Sequence, residues 1–340
     1  MKQLTACLLC GIWFLVACHS DHGLFLLESS GQVMNDQDLR GKANAYLGSV
    51  QPVAPLTSAD QAKVILGERL FSEAGLSADG RISCQSCHKL DAFGVDGLSH
   101  SKGVFDRPGN RNTPPVAHQS YLVGHSWDGR HSNLAEQVST SLQHPDEMGG
   151  ASASQIATNL SHNQRFASLF QAAFPGDEGM YTQEQIVSSL VAFLQTLAIP
   201  TRLDTFLQGD PKALSPLEKS GLDLFLSRGC VPCHSGPALG GQQLQRFGIF
   251  RDYASFTQSS TIDRGRWETT GQTDDDRVFR VPPLRLVSET APYFHDGSVA
   301  SLEDAVRIMG KIQLNQDFTE SEIQAIAAFL RTLAPDAPRS

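Results

Sequence analysis

The chain has 340 residues, of which 40% are hydrophobic and 19% are charged. This length and composition predict a folded chain with two domains of ordinary size, and they exclude a disordered or fibrous protein. The formal net charge is −9 at pH 7. Such an acidic chain does not fit a nucleic-acid-binding protein, because that function needs a basic surface.

The N-terminal segment has the pattern of an export signal. Lys2 supplies a positive charge, and the apolar run from Leu8 to Ala17 follows it. This run is too short to span a bilayer comfortably. It ends in Leu15-Val16-Ala17-Cys18, which resembles the lipobox of a bacterial lipoprotein. We expect residues 1–17 to be a lipoprotein-type signal peptide and Cys18 to be lipidated, which places the protein in the periplasm on a membrane anchor. The alternative is an ordinary signal peptide that is cut nearby.

Four cysteines remain beyond this segment, and they form two Cys-x-x-Cys pairs. Each pair is followed at once by histidine, in Cys84-Gln85-Ser86-Cys87-His88 and in Cys230-Val231-Pro232-Cys233-His234. This is the attachment signature of a c-type haem. The two thiols add to the haem vinyl groups, and the histidine becomes the proximal iron ligand. We therefore predict two covalently bound haem c groups.

Zinc sites and redox dithiols are the alternatives for these two motifs. A structural zinc site gathers four ligands around one ion. The two pairs lie 146 residues apart in the sequence, and each carries its own histidine. Both features favour two separate haem attachment sites.

The chain also contains a weak internal repeat, which predicts two homologous haem domains that meet near Pro200. Residues 66–71 and 220–225 are similar, and each precedes a haem motif. Downstream, Pro114-Pro115 and Trp127-Asp128-Gly129 in the first half match Pro282-Pro283 and His295-Asp296-Gly297 in the second, at the same spacing. We predict a tether over residues 18–55, a first domain over 56–200 and a second over 201–340.

Apolar periodicity predicts a mainly helical fold. Apolar residues recur at spacings of three and four over 186–197, 217–226 and 323–333. Ser301-x-x-Asp304 has the form of a capping box that opens a helix containing Met309. Strand signals are few, and the Gly- and Pro-rich stretches 94–115 and 235–300 are typical of haem-wrapping loops. The predicted fold is two tandem c-type cytochrome-like haem domains.

Nearly all of the chain after residue 17 resembles the bacterial dihaem cytochrome c peroxidases, a family that includes MauG-type enzymes. The resemblance is carried by several distinctive motifs in the expected order. These are Leu70-Phe71 with the first haem motif, Arg111-Asn112-Thr113-Pro114, Trp127-Asp128-Gly129-Arg130, Glu136-Gln137, Glu147-Met148-Gly149 and Thr290-Ala291-Pro292-Tyr293-Phe294-His295-Asp296-Gly297.

The resemblance implies different roles for the two haems. The first, on Cys84, Cys87 and His88, is the peroxidatic haem. The second, on Cys230, Cys233 and His234, is the electron-transfer haem, and Met309 is its distal ligand. Met309 is the only methionine after the second haem motif. A thioether ligand raises the reduction potential, which suits a haem that receives electrons. The alternative is that Met309 fills the core, as methionine commonly does.

Three further residues receive catalytic roles by the same resemblance. Glu147 is the acid–base residue for peroxide, expected in a desolvated haem pocket, although sequence alone favours a solvated loop carboxylate. Its neighbour Met148 is the rival ligand of the first haem. Gln137 holds the peroxide by hydrogen bonds. Trp127 lies between the haems and carries electrons, and a core tryptophan satisfies the same pattern. We expect His295 to pack on a haem or contact its propionates without ligating iron.

A calcium ion is implied by the resemblance alone. The matching positions are Asn112, Thr290 and Pro292, mostly through backbone carbonyls, and oxygen ligands suit this cation.

The sequence departs from many members of the family at the distal side of the first haem. Val104 aligns with a distal histidine that blocks the peroxidatic iron in those proteins. His100 is nearby, and it would act as the distal ligand only if the loop shifts. A five-coordinate first haem is shared with MauG-type enzymes, which oxidise side chains of a partner protein. Met309 favours the peroxidases, since a tyrosine holds its place in MauG.

These observations predict an enzyme that reduces hydrogen peroxide to water with electrons from a small periplasmic cytochrome c or cupredoxin. Two alternatives remain at this point. One is a MauG-like oxidase of a partner protein, and the other is a dihaem electron carrier without peroxide chemistry. Glu147 and Gln137 favour an enzyme over a carrier, which needs neither. A homodimer is compatible with the resemblance, and no nucleic-acid partner is expected.

Overall fold

The protein is mainly helical, as the sequence predicts. A computed structural model describes residues 35–51, 54–177, 181–257, 259 and 261–335, and the predicted signal peptide and Cys18 lie outside these residues. The helices are α1 (Asp36–Tyr46), α2 (Ser58–Phe71), α3 (Cys84–Cys87), α4 (Leu134–Gln143), α5 (Ala153–Ser161), α6 (Gln164–Ala173), α7 (Gln183–Gln195), α8 (Arg202–Leu207), α9 (Pro216–Ser227), α10 (Ala254–Thr257), α11 (Trp267–Thr270), α12 (Leu302–Leu314) and α13 (Glu320–Arg331). Within the described ranges, no helix is long and apolar enough to cross a membrane.

The strand content is small. Strands β1 (Leu244–Arg246) and β2 (Val278–Arg280) form an antiparallel pair in which Leu244 lies opposite Arg280. The three predicted helical segments correspond to α7, α9 and α13. Ser301 caps α12 as predicted, because its hydroxyl accepts a hydrogen bond from the amide of Asp304. The return interaction differs from a capping box, since the Asp304 carboxylate accepts from the Ser301 hydroxyl and not from its amide.

The two halves are built around equivalent helix pairs. Helix α2 packs on α7 in the first half, and α9 packs on α13 in the second. Each pair meets at a glycine. A Cβ on Gly67 would lie 1.9 Å from the carbonyl oxygen of Ser189, and a Cβ on Gly221 would lie 1.8 Å from that of Ala325. No larger residue fits this approach of two backbones.

Phenylalanine pairs complete the same contact in both halves. The rings of Phe71 and Phe193 are 5.4 Å apart, and those of Phe225 and Phe329 are 5.1 Å apart. All four side chains are buried. Each phenylalanine pair lies one helical turn after the glycine contact. The helix pairs of the two halves therefore pack in the same way. This scheme places each haem motif a short distance after a rigid helix.

The first helix departs from the predicted tether. Residues 36–46 form α1, which packs on α8 and α9 of the second half with Leu39 and Ala43 buried. The Nζ of Lys219 lies 2.8 Å from a carboxylate oxygen of Asp36. Apolar residues recur at every fourth position from Leu39, so the segment has a face to bury. We find that the described part of the predicted tether belongs to the folded body.

A buried ion pair anchors this N-terminal segment. Asp204 accepts two hydrogen bonds of 2.7 Å from the guanidinium of Arg285, and both side chains are almost fully buried. The same carboxylate accepts a 2.7 Å hydrogen bond from the amide of Val50. Asp204 thereby holds together Val50 and Arg285, which are far apart in the sequence.

Candidate haem sites

The first haem motif folds locally into a haem-binding geometry. Cys84 to Cys87 form the single turn of α3, and His88 follows as its C-terminal cap. The Nδ1 of His88 lies 3.2 Å from the carbonyl oxygen of Gly94. This contact assigns the proton to Nδ1 and leaves Nε2 as the iron ligand. Burial lowers the pKa of His88, so the imidazole is neutral, as ligation requires.

The second motif repeats this arrangement. The Nδ1 of His234 lies 3.2 Å from the carbonyl oxygen of Leu239. Burial lowers the pKa of His234 to about 4, and hydrogen bonds to the Leu239 and Pro282 carbonyls oppose the shift. Burial also raises the pKa of the Cys230 thiol to about 12. Among the described residues, Cys84, Cys87, Cys230 and Cys233 form no disulfide.

A largely apolar cavity adjoins the second motif. Cys230, Cys233 and His234 line it, and Met309 faces it from α12. Leu302, Ala305 and Val306 also line the cavity, so one face of α12 is directed into it. Two thiols, an imidazole and a thioether around one apolar space fit a covalently bound haem with histidine and methionine ligands. Met309 is therefore where the resemblance predicts the distal ligand to be.

Trp127 lies at the meeting point of the two halves. It lines the cavity of the second motif, and its indole Nε1 donates a 2.8 Å hydrogen bond to the carbonyl of Asn112. The amide of Asn112 in turn donates to the carbonyl of His295 at 2.7 Å. The amide of Arg280 donates to the carbonyl of Trp127 at 2.7 Å. Contacts from both halves thus fix this side chain next to the second site.

His295 is buried in an aromatic cluster on the cavity wall. Its ring stacks on Phe279 at 4.3 Å between centroids and meets the Trp127 ring edge-on at 6.3 Å. Burial lowers the pKa of His295. Its Nε2 is buried and has no partner among the described residues. The predicted haem-packing role is compatible with this position.

One member of the predicted catalytic pair, Glu147, lies near the first motif. Gln137 is half-buried on α4, and Glu147 follows in the loop after that helix. Burial raises the pKa of Cys84 and lowers that of His88, and the nearby negative charge of Glu147 adds a smaller upward contribution at each. The Glu147 carbonyl accepts a 2.9 Å hydrogen bond from the amide of Val104. Glu147 is exposed, whereas we expected a desolvated carboxylate, because the tight turn after α4 lies at the surface.

Met148 does not compete for the first site. Its side chain is buried in the helical core of the first half, in the cluster that contains Leu142 and Ile156. Its carbonyl accepts a hydrogen bond from the amide of Ala78 at 2.9 Å. Met148 therefore acts as a core residue.

The loop of the expected distal histidine carries no ligand at its key position. Val104 is fully buried, and its side chain packs against Gly149. His100 is half-buried. The neighbouring residue, Ser99, lies close to Gly297. A Cβ atom added to Gly297 would be 2.6 Å from the Cα of Ser99. In this structure the His100 segment therefore packs against the second half.

The three predicted calcium positions line the same cavity as Trp127. They are Asn112, Thr290 and Pro292. The Asn112 side-chain amide donates a 2.9 Å hydrogen bond to the carbonyl of Leu98. Over the described ranges, no group of three or more His, Cys, Asp or Glu side chains could hold a metal ion. Calcium binding here stays a prediction that depends on backbone oxygens.

Two arginines shape the site, and sequence reasoning assigned neither a role. The guanidinium of Arg111 bridges Asp128 at 2.8 Å and Asp263 at 2.6 Å, which joins the two halves. Arg280 is buried beside Trp127 and lines the cavity. Arg111 stands in a motif of the resemblance. Arg280 carries no sequence signal that separates it from the other arginines.

The chain is similar to known di-haem peroxidases and to MauG. The sequence model of the di-haem cytochrome c peroxidases matches residues 61–212. The cytochrome c551 peroxidase of Nitrosomonas europaea is 39% identical over 291 residues, which cover 85% of each chain. The methylamine utilization protein MauG of Methylorubrum extorquens is 29% identical over 297 residues, or 86% of this chain and 82% of MauG.

A solved structure has the same architecture. It is a MauG-like protein associated with microbial copper homeostasis, with a TM-score of 0.75 and 27% identity, and the match covers 86% of this chain and 94% of that one. The sequence match to the Nitrosomonas peroxidase extends over both haem motifs and most of both chains. The protein is an enzyme of the cytochrome c peroxidase class. Its fold, its paired attachment motifs and these similarities together show that the chain belongs to the di-haem cytochrome c peroxidase family.

Proposed function

We propose that this enzyme reduces hydrogen peroxide to water at the His88 site. Electrons arrive from a small periplasmic cytochrome c or cupredoxin at the site formed by His234 and Met309. One observation carries the proposal. Trp127 lines the cavity of the second site, and the chain runs from it within a few residues into α4, which is followed by Glu147 near the first motif.

A bound haem supplies an iron that accepts and passes on single electrons and that binds a peroxide oxygen where a coordination position is open. The protein side chains determine which haem does which task. At the second site, His234 and Met309 would hold the haem iron, and the soft thioether would favour its reduced state. Val104 offers no ligand at the first site, which would leave the iron there accessible to peroxide.

Trp127 is the proposed electron path between the sites. Its indole is held by the Asn112 carbonyl, and its backbone carbonyl is held by the Arg280 amide. Because both the indole and the backbone of Trp127 are held, the ring keeps one distance and one orientation relative to the two haem sites. This fixed position supports rapid electron transfer between them.

Glu147 and Gln137 are the proposed proton and substrate groups. Each peroxide consumes two electrons and two protons and yields two waters. The Glu147 carboxylate removes a proton from one peroxide oxygen and returns it to the other, and the O–O bond breaks as the electrons arrive. The Gln137 amide holds the substrate by hydrogen bonds. The charge of Glu147 already acts on His88 and Cys84 in the structure, which supports its place at this site.

A MauG-like oxidation of a partner protein is the second candidate. Val104 favours this function, because a valine at the distal position would leave the first haem accessible to peroxide without prior reduction of the second haem. The MauG of Methylorubrum extorquens is also similar over most of this chain. Membership of a peroxidase family argues against the third alternative, a carrier without peroxide chemistry.

We also propose that the protein works in the periplasm, anchored through a lipid on Cys18, and that a calcium ion binds at Asn112, Thr290 and Pro292. The lipobox pattern supports the anchor. Cys18→Ala is expected to move the protein from the membrane fraction into the soluble periplasmic fraction. An unchanged membrane fraction would contradict the anchor.

Donor oxidation tests the main proposal. Purified enzyme is mixed with peroxide and a reduced small cytochrome c or cupredoxin, and both reactants are followed. We expect two donor molecules to be oxidised for each peroxide consumed. Peroxide loss without donor oxidation, together with a mass change in a partner protein, would favour the MauG-like function. No peroxide loss in the presence of two attached haems would contradict both.

A further inference from the structure

Arg280 is a buried cation with an unused hydrogen-bond donor. Its side chain is 4% exposed, and its Nη1 has no partner. In the described parts of the chain, no carboxylate forms an ion pair with it. Arg285 is buried to a similar degree, yet it makes two 2.7 Å hydrogen bonds to Asp204. An unpaired buried guanidinium is costly, so its retention calls for an anionic partner.

The backbone around Arg280 directs this donor into the second haem cavity. Arg280 ends β2, and its amide is bound to the Trp127 carbonyl. Its Nε donates a 3.0 Å hydrogen bond to the carbonyl of Ser126. The guanidinium is thus held on one side by the Ser126 carbonyl, and the Arg280 backbone is held by the Trp127 carbonyl. Arg280 lines the same cavity as His234 and Met309.

A second unpaired donor lies on the same wall. Three buried side-chain atoms lack a partner in the described residues, and they belong to Arg277, Arg280 and His295. Two of these residues, Arg280 and His295, line the second cavity. The rest of the lining is mostly apolar. The site therefore combines an apolar space with two buried side-chain nitrogens, on Arg280 and His295, that have no hydrogen-bond partner among the described residues.

We infer that Arg280 binds a propionate carboxylate of the haem attached to Cys230 and Cys233, with His295 as the second donor. This inference rests on the proposed haem at the second site. The propionates are the anionic groups of an otherwise apolar macrocycle, so they match an unpaired guanidinium in an apolar cavity. Because the same arginine holds the backbone of Trp127, it also positions this ring relative to the haem.

Three variants test the inference. Arg280→Leu removes both the charge and the donors, and Arg280→Lys keeps the charge but loses the planar fork. Arg277→Lys is the matched control, since Arg277 also has a buried Nε without a hydrogen bond, but it forms ion pairs with Asp252 and Asp276 and does not line the cavity. Haem content is measured first in each protein by the pyridine haemochrome method.

Two readouts report on the haem itself. In resonance Raman spectra, we expect the propionate bending band of the methionine-ligated haem to shift in both Arg280 variants and to stay in place in Arg277→Lys. We expect the midpoint potential of that haem to fall in Arg280→Leu, because loss of a nearby positive charge stabilises the oxidised iron. Arg280→Lys retains most of the wild-type potential.

The outcomes separate this inference from the proposed function. Wild-type protein with fewer than two attached haems would contradict the haem assignment. Two attached haems with an unchanged propionate band and potential in Arg280→Leu would overturn the inference and leave Arg280 only its contacts to Ser126 and Trp127. If Arg280→Leu does not fold, Arg280→Lys decides, since a shifted band supports the contact and an unshifted band overturns it.

Discussion

The indole Nε1 of Trp127 donates a hydrogen bond to the carbonyl oxygen of Asn112, 2.8 Å away. The amide of Asn112 donates to His295 in the second half. This chain of contacts ties the proposed electron path to the cavity of the second haem. The position of one aromatic ring thus depends on residues from both halves.

Trp127→Phe is expected to slow electron transfer between the two sites by about tenfold, which corresponds to about 1.4 kcal/mol on the barrier. Phenylalanine lacks the Nε1 donor, so the ring loses its fixed position. Stopped-flow reduction of the first haem measures the rate. Trp267→Phe is the control, because Trp267 stacks under Arg264 and does not line the cavity. Equal rates in the two variants would remove Trp127 from the path.

Glu147→Gln is expected to lower peroxide turnover by roughly 10²–10⁴-fold, the usual loss when a general acid–base group is removed. Both haem spectra should be retained. Glu136→Gln is the matched control on the preceding helix, since Glu136 is exposed and bonds to Ser132. A loss below about threefold at Glu147 would be too small for a group in this role.

Met309→Leu is expected to remove the methionine-to-iron charge-transfer band and to lower the potential of the second haem, because the thioether favours reduced iron. Met148→Leu should leave both spectra intact, since Met148 is a core residue and this swap costs less than about 1.5 kcal/mol. Absorption spectra and redox titration compare the two variants. If Met148→Leu alone alters a haem spectrum, the ligand assignment is wrong.

The oxidised enzyme is expected to hold a high-spin first haem that reacts with peroxide without prior reduction. Val104 cannot ligate iron, and the segment of His100 packs against Gly297. His100→Ala should therefore leave the electron paramagnetic resonance spectrum of the oxidised protein unchanged. Two low-spin haems at rest, with the first one opened by His100→Ala, would identify His100 as the missing distal ligand.

Asp204→Ala is expected to destabilise the protein by about 3–5 kcal/mol, because it leaves the Arg285 guanidinium buried without its partner. It also removes the acceptor for the Val50 amide. Chemical denaturation measures the change. Glu303→Gln breaks a surface pair with Arg331 and should cost less than about 1 kcal/mol. Similar losses in the two variants would contradict the burial argument.

Sequence alone determined the features that depend on short segments of chain. A haem motif is five consecutive residues, and its spacing is imposed by the distance between two thiols and an imidazole. Helices α7, α9 and α13 follow from apolar periodicity over a dozen residues. The repeat predicted equivalent packing, which appears as the contacts of Gly67 and Gly221. Each of these signals is complete within its own segment.

Only the tertiary structure decided which distant residues share the site. Arg280 meets Trp127 across about 150 residues of chain, and α1 packs on helices more than 150 residues away. Glu147 is exposed because of the turn that follows α4, which no local pattern predicts. Such contacts form when the two halves pack together. Their energy comes from burial and from hydrogen bonds between distant segments, and the sequence of one segment does not predict which other segment it will contact.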